Sequence, residues 1–325
     1  MKIGGNARFM AEIHNVEDVA TVYRNAKAKL LPIFTLGGGS NVIGKDVGFG
    51  GVILHMRIPG FEIIKDDLYS TTIKIGAGEN WDETVKRTVD LHLTGIEALS
   101  AIPGTAGAAP VQNLGAYGQE IADTLQSLIA FDTEQDAFVT LQNADCGFSY
   151  RHSIFRGDQT GRYIITSITL ELSKTNPQPP FYDALQSYFD DHNIKLFSQD
   201  IVRRAVIDIR TKKLPDPDLL PNSGSFFKNA IVEDWQLGDL RSISPNIPTY
   251  DMGDGKYKIP TGWLIEQTGL KGQILHGIKI HDKNALVLIN QSATSYQELS
   301  LARDEIIGAV RDKYHIQIEQ EPLEI

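Results

Sequence analysis

Between residues 102 and 118 the chain reads Ile-Pro-Gly-Thr-Ala-Gly-Ala-Ala-Pro-Val-Gln-Asn-Leu-Gly-Ala-Tyr-Gly. These 17 residues hold four glycines, five Ala or Thr and two prolines. So few large apolar side chains pack poorly as a core, and the composition is too ordered for a linker. Bare main chain of this kind suits a bound group lying against it, because missing side chains let backbone N–H groups approach closely. Any fold this chain adopts must present that run to a ligand.

A second glycine stretch lies nearer the start. Residues 31–36 form a short continuous apolar strand that runs into Gly37, Gly38, Gly39, Ser40 and Asn41. The pattern is neither the dinucleotide Gly-x-Gly-x-x-Gly word nor the P-loop. Its amides and the Ser40 and Asn41 side chains still offer an anion cradle.

The surrounding pattern is mixed. Apolar periodicity predicts a helix over 16–29, with Asn15 as cap, and a strand near 52–56. Strands are predicted over 73–75, 127–131 and 163–172. Asn80 with Glu83 forms a capping-box word that opens a helix. A helix over 183–190 follows the Pro-Gln-Pro-Pro break at 177–180. Ile201, Val202, Ala205, Val206 and Ile209 then give a helical stripe, which Pro215 and Pro217 end. Further strands are predicted over 225–228, 285–290 and 316–319. Helices are predicted over 261–267 and after Ser295, whose partner Glu298 completes a second capping box. The fold class is α+β in three parts.

Composition narrows the function classes. Lys plus Arg total 31 against 41 Asp plus Glu, a net charge of −10, which opposes a general nucleic-acid footprint. A small anion remains a candidate ligand, since Arg210, Lys212, Lys213 and Lys228 form a local cationic group. Cys146 is the only cysteine, so an intrachain disulfide and a Cys metal cluster are both ruled out; no metal site is expected. No apolar run approaches the roughly 18 residues of a membrane span, and no signal-peptide pattern is present. The expectation is a cytoplasmic protein without membrane insertion.

In order and spacing, these words resemble the UDP-N-acetylenolpyruvoylglucosamine reductase family, flavoproteins of the vanillyl-alcohol-oxidase (PCMH) type. The resemblance is carried by residues 37–41, by Gly76-Ala77-Gly78-Glu79-Asn80-Trp81, and by residues 102–107 and 112–118. It implies non-covalent FAD. Gly37, Gly38, Gly39, Ser40, Asn41, Ile102, Pro103, Gly104, Thr105 and Gly107 would hold the diphosphate. Gln112, Asn113, Gly115, Ala116, Tyr117 and Gly118 would lie near the flavin.

The second half carries the reaction in the same way. Ser149-Tyr150-Arg151-His152-Ser153-Ile154-Phe155 is similar to the family segment with an active-site arginine, here Arg151. His152 stands where the family often has an acidic residue. Residues 211–217 place a substrate-binding lysine on Lys213, with Arg210 beside it. Residues 224–229 place the proton donor on Ser225 and a substrate contact on Asn229. Residues 319–321 place the catalytic glutamate on Glu321. Tyr182 resembles the tyrosine that closes over the sugar nucleotide in the type I subgroup.

The resemblance implies that NADPH reduces FAD, which reduces UDP-N-acetylglucosamine enolpyruvate to UDP-N-acetylmuramate. Positive charge from Arg151 and Lys213 suits a substrate carboxylate on which negative charge builds. Ser225 then needs a neighbour such as Lys228 or Lys213 to stabilise its alkoxide. The expected organisation is an FAD-binding half in two subdomains, 1–57 and 58–200, and an α+β substrate-binding domain, 201–311. Residues 312–325 are expected to join the second subdomain. A monomer is expected. The chain begins inside the family's first conserved region, which would lower FAD affinity, and its tail after Glu321 is shorter than usual. Two other classes stay open: an FAD-linked oxidase or dehydrogenase of the same fold acting on a hydroxy acid or alcohol, and a non-catalytic flavin- or sugar-nucleotide-binding paralogue.

Overall fold

The computed structural model describes residues 1–325 as two units of unequal size. The larger comprises Ala7–Ser40 and Gly50–Arg210, and the smaller Met1–Asn6, Asn41–Phe49 and Thr211–Ile325.

The larger unit holds two sheets over separate cores. In the first, strand Phe49–Met56 lies between Ala7–Ile13 and Ile33–Leu36, running parallel to the latter. Helix Val16–Ala28 covers it, burying Val19, Ala20 and Ala26 with Val52 and Leu54. Asn15 occupies the cap position, but its side chain makes no capping bond; it turns to the Asp18 carboxylate at 3.2 Å. An acidic first turn supplies a better acceptor for the amide.

The second sheet is antiparallel, in the order Ala137–Gln142, Leu125–Asp132, Tyr163–Ser173, Ser70–Gly76 and Phe61–Asp66. Tyr163–Ser173 is central and buried along most of its length, including Thr166, Ser167 and Thr169 among its apolar residues. Helix Trp81–Asp90 packs Trp81, Val85 and Val89 into the same core as Ile168, Leu170 and Leu172. The Asn80 side chain caps it by accepting from the Glu83 amide at 3.0 Å. A further core joins helices Asp183–Asp191 and Gln199–Lys213 through Leu185, Phe189, Val202, Val206 and Ile209.

The smaller unit has one core. Strands Asn222–Ser225, Val287–Asn290, Ile278–Ile280 and Ile274–Leu275 form one antiparallel sheet, and Ala230–Glu233, Lys256–Ile259 and Tyr250–Asp251 another. Helices Asp234–Ile243, Thr261–Gln267 and Tyr296–Tyr314 share that core through Leu240, Leu264, Leu299, Ile306 and Val310.

Several expectations change. The expected boundary near residue 200 falls at 210, because helix Gln199–Lys213 buries its stripe in the larger unit. Residues 1–6 and 41–49 leave the expected first subdomain, tied instead to the smaller unit: the Gly5 amide donates to Lys45 O, and Asn290 Nδ2 donates to Met1 O. Residues 312–325 also belong there, since Leu323–Glu324 pairs parallel with Val42–Ile43. Residues 316–319 form no strand. They bury Ile316 and Ile318, and pairing begins at Gln320, which bridges Phe227. In the expected 225–228 strand only Ser225 lies in the ladder, as the end of Asn222–Ser225; the residues after it turn to the C-terminal segment. Strands Ala7–Ile13, Phe61–Asp66 and Ala137–Gln142 escape the sequence pattern because each is a sheet edge with an exposed, mixed surface.

Helix Tyr296–Tyr314 begins in a complete capping box, with Ser295 Oγ accepting from the Glu298 amide at 3.2 Å. The Asp46 carboxylate also accepts from the Tyr296 and Gln297 amides, at 2.6 and 3.1 Å. Ser295→Ala therefore lowers the unfolding free energy by about 1 kcal/mol, and Ser295→Gly by only a few tenths. Urea denaturation followed by circular dichroism checks the pair; equal losses would show that the hydroxyl is not the cap.

Candidate active site

The strand Ile33–Leu36 delivers Gly37, Gly38, Gly39 and Ser40 against the Pro103–Thr105 backbone of the long glycine run. A Cβ on Gly37 would lie 2.4 Å from Thr105 Oγ1, and one on Gly38 would lie 3.0 Å from Gly104 Cα. Ser40 Oγ donates to Pro103 O at 3.1 Å. The run is held from below as well. Trp81 N donates to Gly104 O, Ala106 N to Glu79 O, and a Cβ on Gly107 would come within 2.5 Å of Ala77 Cβ. Ile102 packs on the core beneath. Asn41, the last residue of the first stretch, lies in the smaller unit, where its carbonyl accepts from Leu323 N.

Thr105 Oγ1 is buried and has no hydrogen-bond partner in the protein. Such a hydroxyl costs about 1–3 kcal/mol when left unpaired. A phosphate oxygen is a natural acceptor for it, so the residues present fit a diphosphate. His55, which the sequence pattern did not single out, is paired in register with Leu36 just before this turn. Burial and Arg57 lower its pKa, outweighing Glu12 and a hydrogen bond to the Gly37 backbone. The imidazole beside the cradle is thus biased toward its neutral form.

Beyond the cradle, residues 106–112 form a 3₁₀ helix that ends at Asn113 in the left-handed region, φ 47°. Asn113 is buried. Its amide nitrogen donates to Glu120 Oε2 at 2.6 Å and Ser149 O at 3.1 Å, and its oxygen accepts from Ala122 N. That side chain is engaged within the protein and ties the run to the turn carrying Arg151. Gln112 Oε1 likewise accepts from Arg156 Nη1 at 2.9 Å. Ser149 and His152 exchange backbone hydrogen bonds, so Tyr150 and Arg151 form a tight turn, with Arg151 at φ 53°. This backbone suits glycine and costs another residue on the order of 1–3 kcal/mol. The Arg151 guanidinium donates to Gly115 O, and a Cβ on Gly115 would lie 2.9 Å from Arg151 Nη1. The glycine keeps that approach open. Ala116 pairs with Gln119 in a short hairpin whose turn is Tyr117 and Gly118, both at positive φ.

Tyr117 sets its ring edge-on to Tyr182, with centroids 6.1 Å apart. Its hydroxyl bonds Arg210, whose Nε donates to Ala101 O at 3.2 Å. Burial lowers the Arg210 pKa and raises that of Tyr117, while their mutual interaction opposes both shifts. Asp82 accepts from Arg203 at 2.6 and 3.0 Å and from Ala101 N, completing a polar cluster below the rings. Tyr182 is 40% exposed at the start of helix Asp183–Asp191.

In the smaller unit, Ser225 pairs with Val287, and the ladder shifts register between Asn222 and Ser225. Gly224, at φ 71°, makes that turn possible. Phe226 and Phe227 are fully buried behind it. Glu321 N donates to Phe226 O at 2.8 Å, and Lys228 N to Glu319 O at 2.9 Å, so the glutamate's segment runs beside the serine's. Lys228 Nζ is engaged by Glu319 at 3.2 Å. Asn229 Oδ1 accepts from Thr261 N at the head of helix Thr261–Gln267. Lys213 is exposed at the end of its helix, and Asn222 Nδ2 reaches Pro215 O at 3.3 Å. Two polar atoms unnoticed in the sequence are buried here without partners, Ser223 Oγ and His281 Nδ1. His281 N donates to Val287 O, placing His281 across Val287 from Ser225. Neither residue stands in a word that marks it.

Comparison with known proteins covers both units. A family model described as FAD binding domain matches residues 7–136. One described as UDP-N-acetylenolpyruvoylglucosamine reductase, C-terminal domain, matches residues 216–325. A protein named UDP-N-acetylenolpyruvoylglucosamine reductase from Dechloromonas aromatica is 42% identical over 294 residues, covering 89% of this chain and 87% of its own. Its namesake from Ralstonia nicotianae is 39% identical over 98% of this chain and 94% of its own. The crystal structure of UDP-N-acetylenolpyruvylglucosamine reductase from Thermus caldophilus shares the fold, with a TM-score of 0.63 at 22% identity over 97% of this chain and 91% of that one.

The unpartnered threonine yields a direct test of the cradle. Thr105→Val keeps the shape and removes the hydroxyl, so apoprotein stability holds or rises while FAD affinity falls about tenfold, one charge-assisted hydrogen bond. Gly37→Ala, which drives a methyl into Thr105, weakens FAD at least as much. Flavin fluorescence titration of the apoprotein checks both; an unchanged Thr105→Val affinity would place the diphosphate elsewhere.

Proposed function

We infer, since the chain belongs to the UDP-N-acetylenolpyruvoylglucosamine reductase family, that it reduces UDP-N-acetylglucosamine enolpyruvate to UDP-N-acetylmuramate with FAD and NADPH, a step in peptidoglycan precursor synthesis. The observation that carries the reading is the backbone pairing of Glu321 with Phe226, which sets the glutamate's segment beside Ser225. A reductase of this substrate must place a proton donor and a carboxylate together, and a bare flavin-binding module has no use for that pairing. FAD, when bound in the glycine cradle, supplies the hydride that NADPH provides and the enolpyruvyl double bond receives.

The chain's own residues bind, orient and supply the proton. Gly37, Gly38, Gly39, Asn41, Gly104 and Thr105 would hold the diphosphate through backbone amides and the Thr105 hydroxyl, while Ser40, Pro103 and Gly107 fix the shape of the cradle through their own bonds and close packing. Arg151, preset by its left-handed turn and its bond to Gly115, offers a fixed positive charge to the substrate carboxylate. Lys213, mobile on its stem, adds a second charge, and Arg210, Tyr182 and Asn229 contact the sugar nucleotide. Ser225 Oγ gives its proton to the carbon bearing the carboxylate, and Glu321 polarises the charge that builds there. The Lys228 ammonium pairs with Glu319, which makes Lys213 the better candidate for easing the serine's ionisation. No helix is long and apolar enough to cross a membrane. The same reading takes the protein as a cytoplasmic monomer.

The purified protein is expected to be yellow and to consume NADPH only when the enolpyruvyl sugar nucleotide is added. Bleaching of the flavin by a simple hydroxy acid in the absence of NADPH would instead make it an oxidase or dehydrogenase of the same fold. Ser225→Ala is expected to slow substrate reduction by about 10²–10⁴-fold, the span of general acid catalysis, while NADPH still bleaches the flavin. Stopped-flow absorbance separates the two half-reactions, and full substrate turnover in this variant would move the proton source to another residue.

A further inference from the structure

One guanidinium holds both flanks of Glu321. Arg303 sits in the second turn of helix Tyr296–Tyr314 with its side chain only 18% exposed. Its Nη1 donates to Gln320 Oε1 at 3.0 Å and also to Glu324 Oε1. Its Nη2 donates to Ser300 Oγ at 2.8 Å, and its Nε to Asp304 Oδ1 at 2.8 Å, which fixes the fork on its own helix. Gln320 then reaches over the glutamate, its amide donating to Pro322 O and Glu324 Oε1, both at 3.0 Å.

Glu324 is the far post of this frame. Burial pushes its carboxyl upward, but hydrogen bonds from Tyr296 and Gln320 and the charges of Arg303 and Lys45 outweigh that and hold it ionised. Lys45 Nζ stands 3.6 Å away. Between the posts, Glu321 has its amide committed to Phe226 O and a proline after it, which confines its backbone to the extended region. The backbone on either side of Glu321 is thus held at residues 320, 322 and 324, and Arg303 binds two of the three.

We propose that Arg303 is a positioning residue for Glu321, acting through Gln320 and Glu324. It touches no reacting atom; it sets the direction of the carboxylate that does. A planar fork with several donors can satisfy Gln320, Glu324 and Ser300 at once, which an ammonium cannot do in the same geometry. The inference rests on the role given to Glu321 above.

The test compares Arg303→Met, Arg303→Lys, Glu321→Gln and the double variant Arg303→Met/Glu321→Gln as FAD-loaded full chains. The rate at which pre-reduced enzyme is reoxidised by the enolpyruvyl sugar nucleotide is read beside the rate of flavin reduction by NADPH and the FAD dissociation constant. Arg303→Met is expected to slow reoxidation on the order of 10²-fold, as for a catalytic group displaced by about 1 Å. Flavin reduction and FAD affinity should stay put, Arg303→Lys should recover part of the loss, and the arginine change should add nothing once Glu321 is glutamine. If Arg303→Met does not fold, Gln320→Leu, which leaves the Arg303–Glu324 pair in place, carries the test and should also slow reoxidation. Losses that multiply in the double variant, a parallel fall of both half-reactions, or Gln320→Leu at full rate overturns the proposal. Glu321→Gln at full rate removes the glutamate's role and the proposal together; a slow Glu321→Gln with a fast Arg303→Met overturns the proposal alone.

Discussion

The larger unit depends on the approach of two stretches of bare backbone, one at Gly37 and Gly38 and the other at Gly104 and Thr105. Each stretch is the outlet of a different sheet system. The parallel pair Ile33–Leu36 and Phe49–Met56 ends in the first, and the Trp81–Asp90 helix with its Asn80 bridge fixes the second. A single methyl on Gly37 would sit 2.4 Å from the threonine oxygen. The cores on either side can vary their side chains as long as this separation survives, which is why so much small-residue sequence gathers at one place.

A second theme is strain held in fixed places. Asn113, Tyr117 and Arg151 all adopt positive φ without being glycine, and all three sit in or against the glycine run. Asn113 bonds the carbonyl of Ser149, the first residue of the Arg151 turn. The arginine's direction is therefore settled by backbone geometry and by a buried amide before any ligand arrives. Preset charge of that kind loses little in reorganisation when negative charge develops nearby.

The sequence made these features legible to unequal degrees. Glycine runs, the Asn80 and Ser295 capping words and the strongly periodic helices were readable because each reflects a demand of the local backbone. Edge strands such as Phe61–Asp66 were not, since one solvated face and mixed polarity erase the period-two signal. The ownership of residues 41–49 and 312–325 was also hidden, because it is settled by pairing partners about 280 residues apart. Among site residues, Ser225, Arg151 and Glu321 stood in recognisable words. His55, Ser223, His281 and Arg303 did not, as their significance comes only from what the fold places beside them.

The parallel pairing of Leu323–Glu324 with Val42–Ile43 bears on how the protein comes into being. A ribosome releases the larger unit's last segment once residue 210 has emerged, and its local antiparallel sheet can form then. The smaller unit is stitched from residues 1–6, 41–49 and 211–325, so two early pieces must wait for the rest of their unit, and Val42–Ile43 for the final strand. Chain synthesis at roughly 5–20 residues per second leaves those pieces waiting for some tens of seconds. Assembly of the unit that carries Ser225 and Glu321 is thus the closing event of biogenesis, and a flavin-binding half would exist before the chemistry it serves.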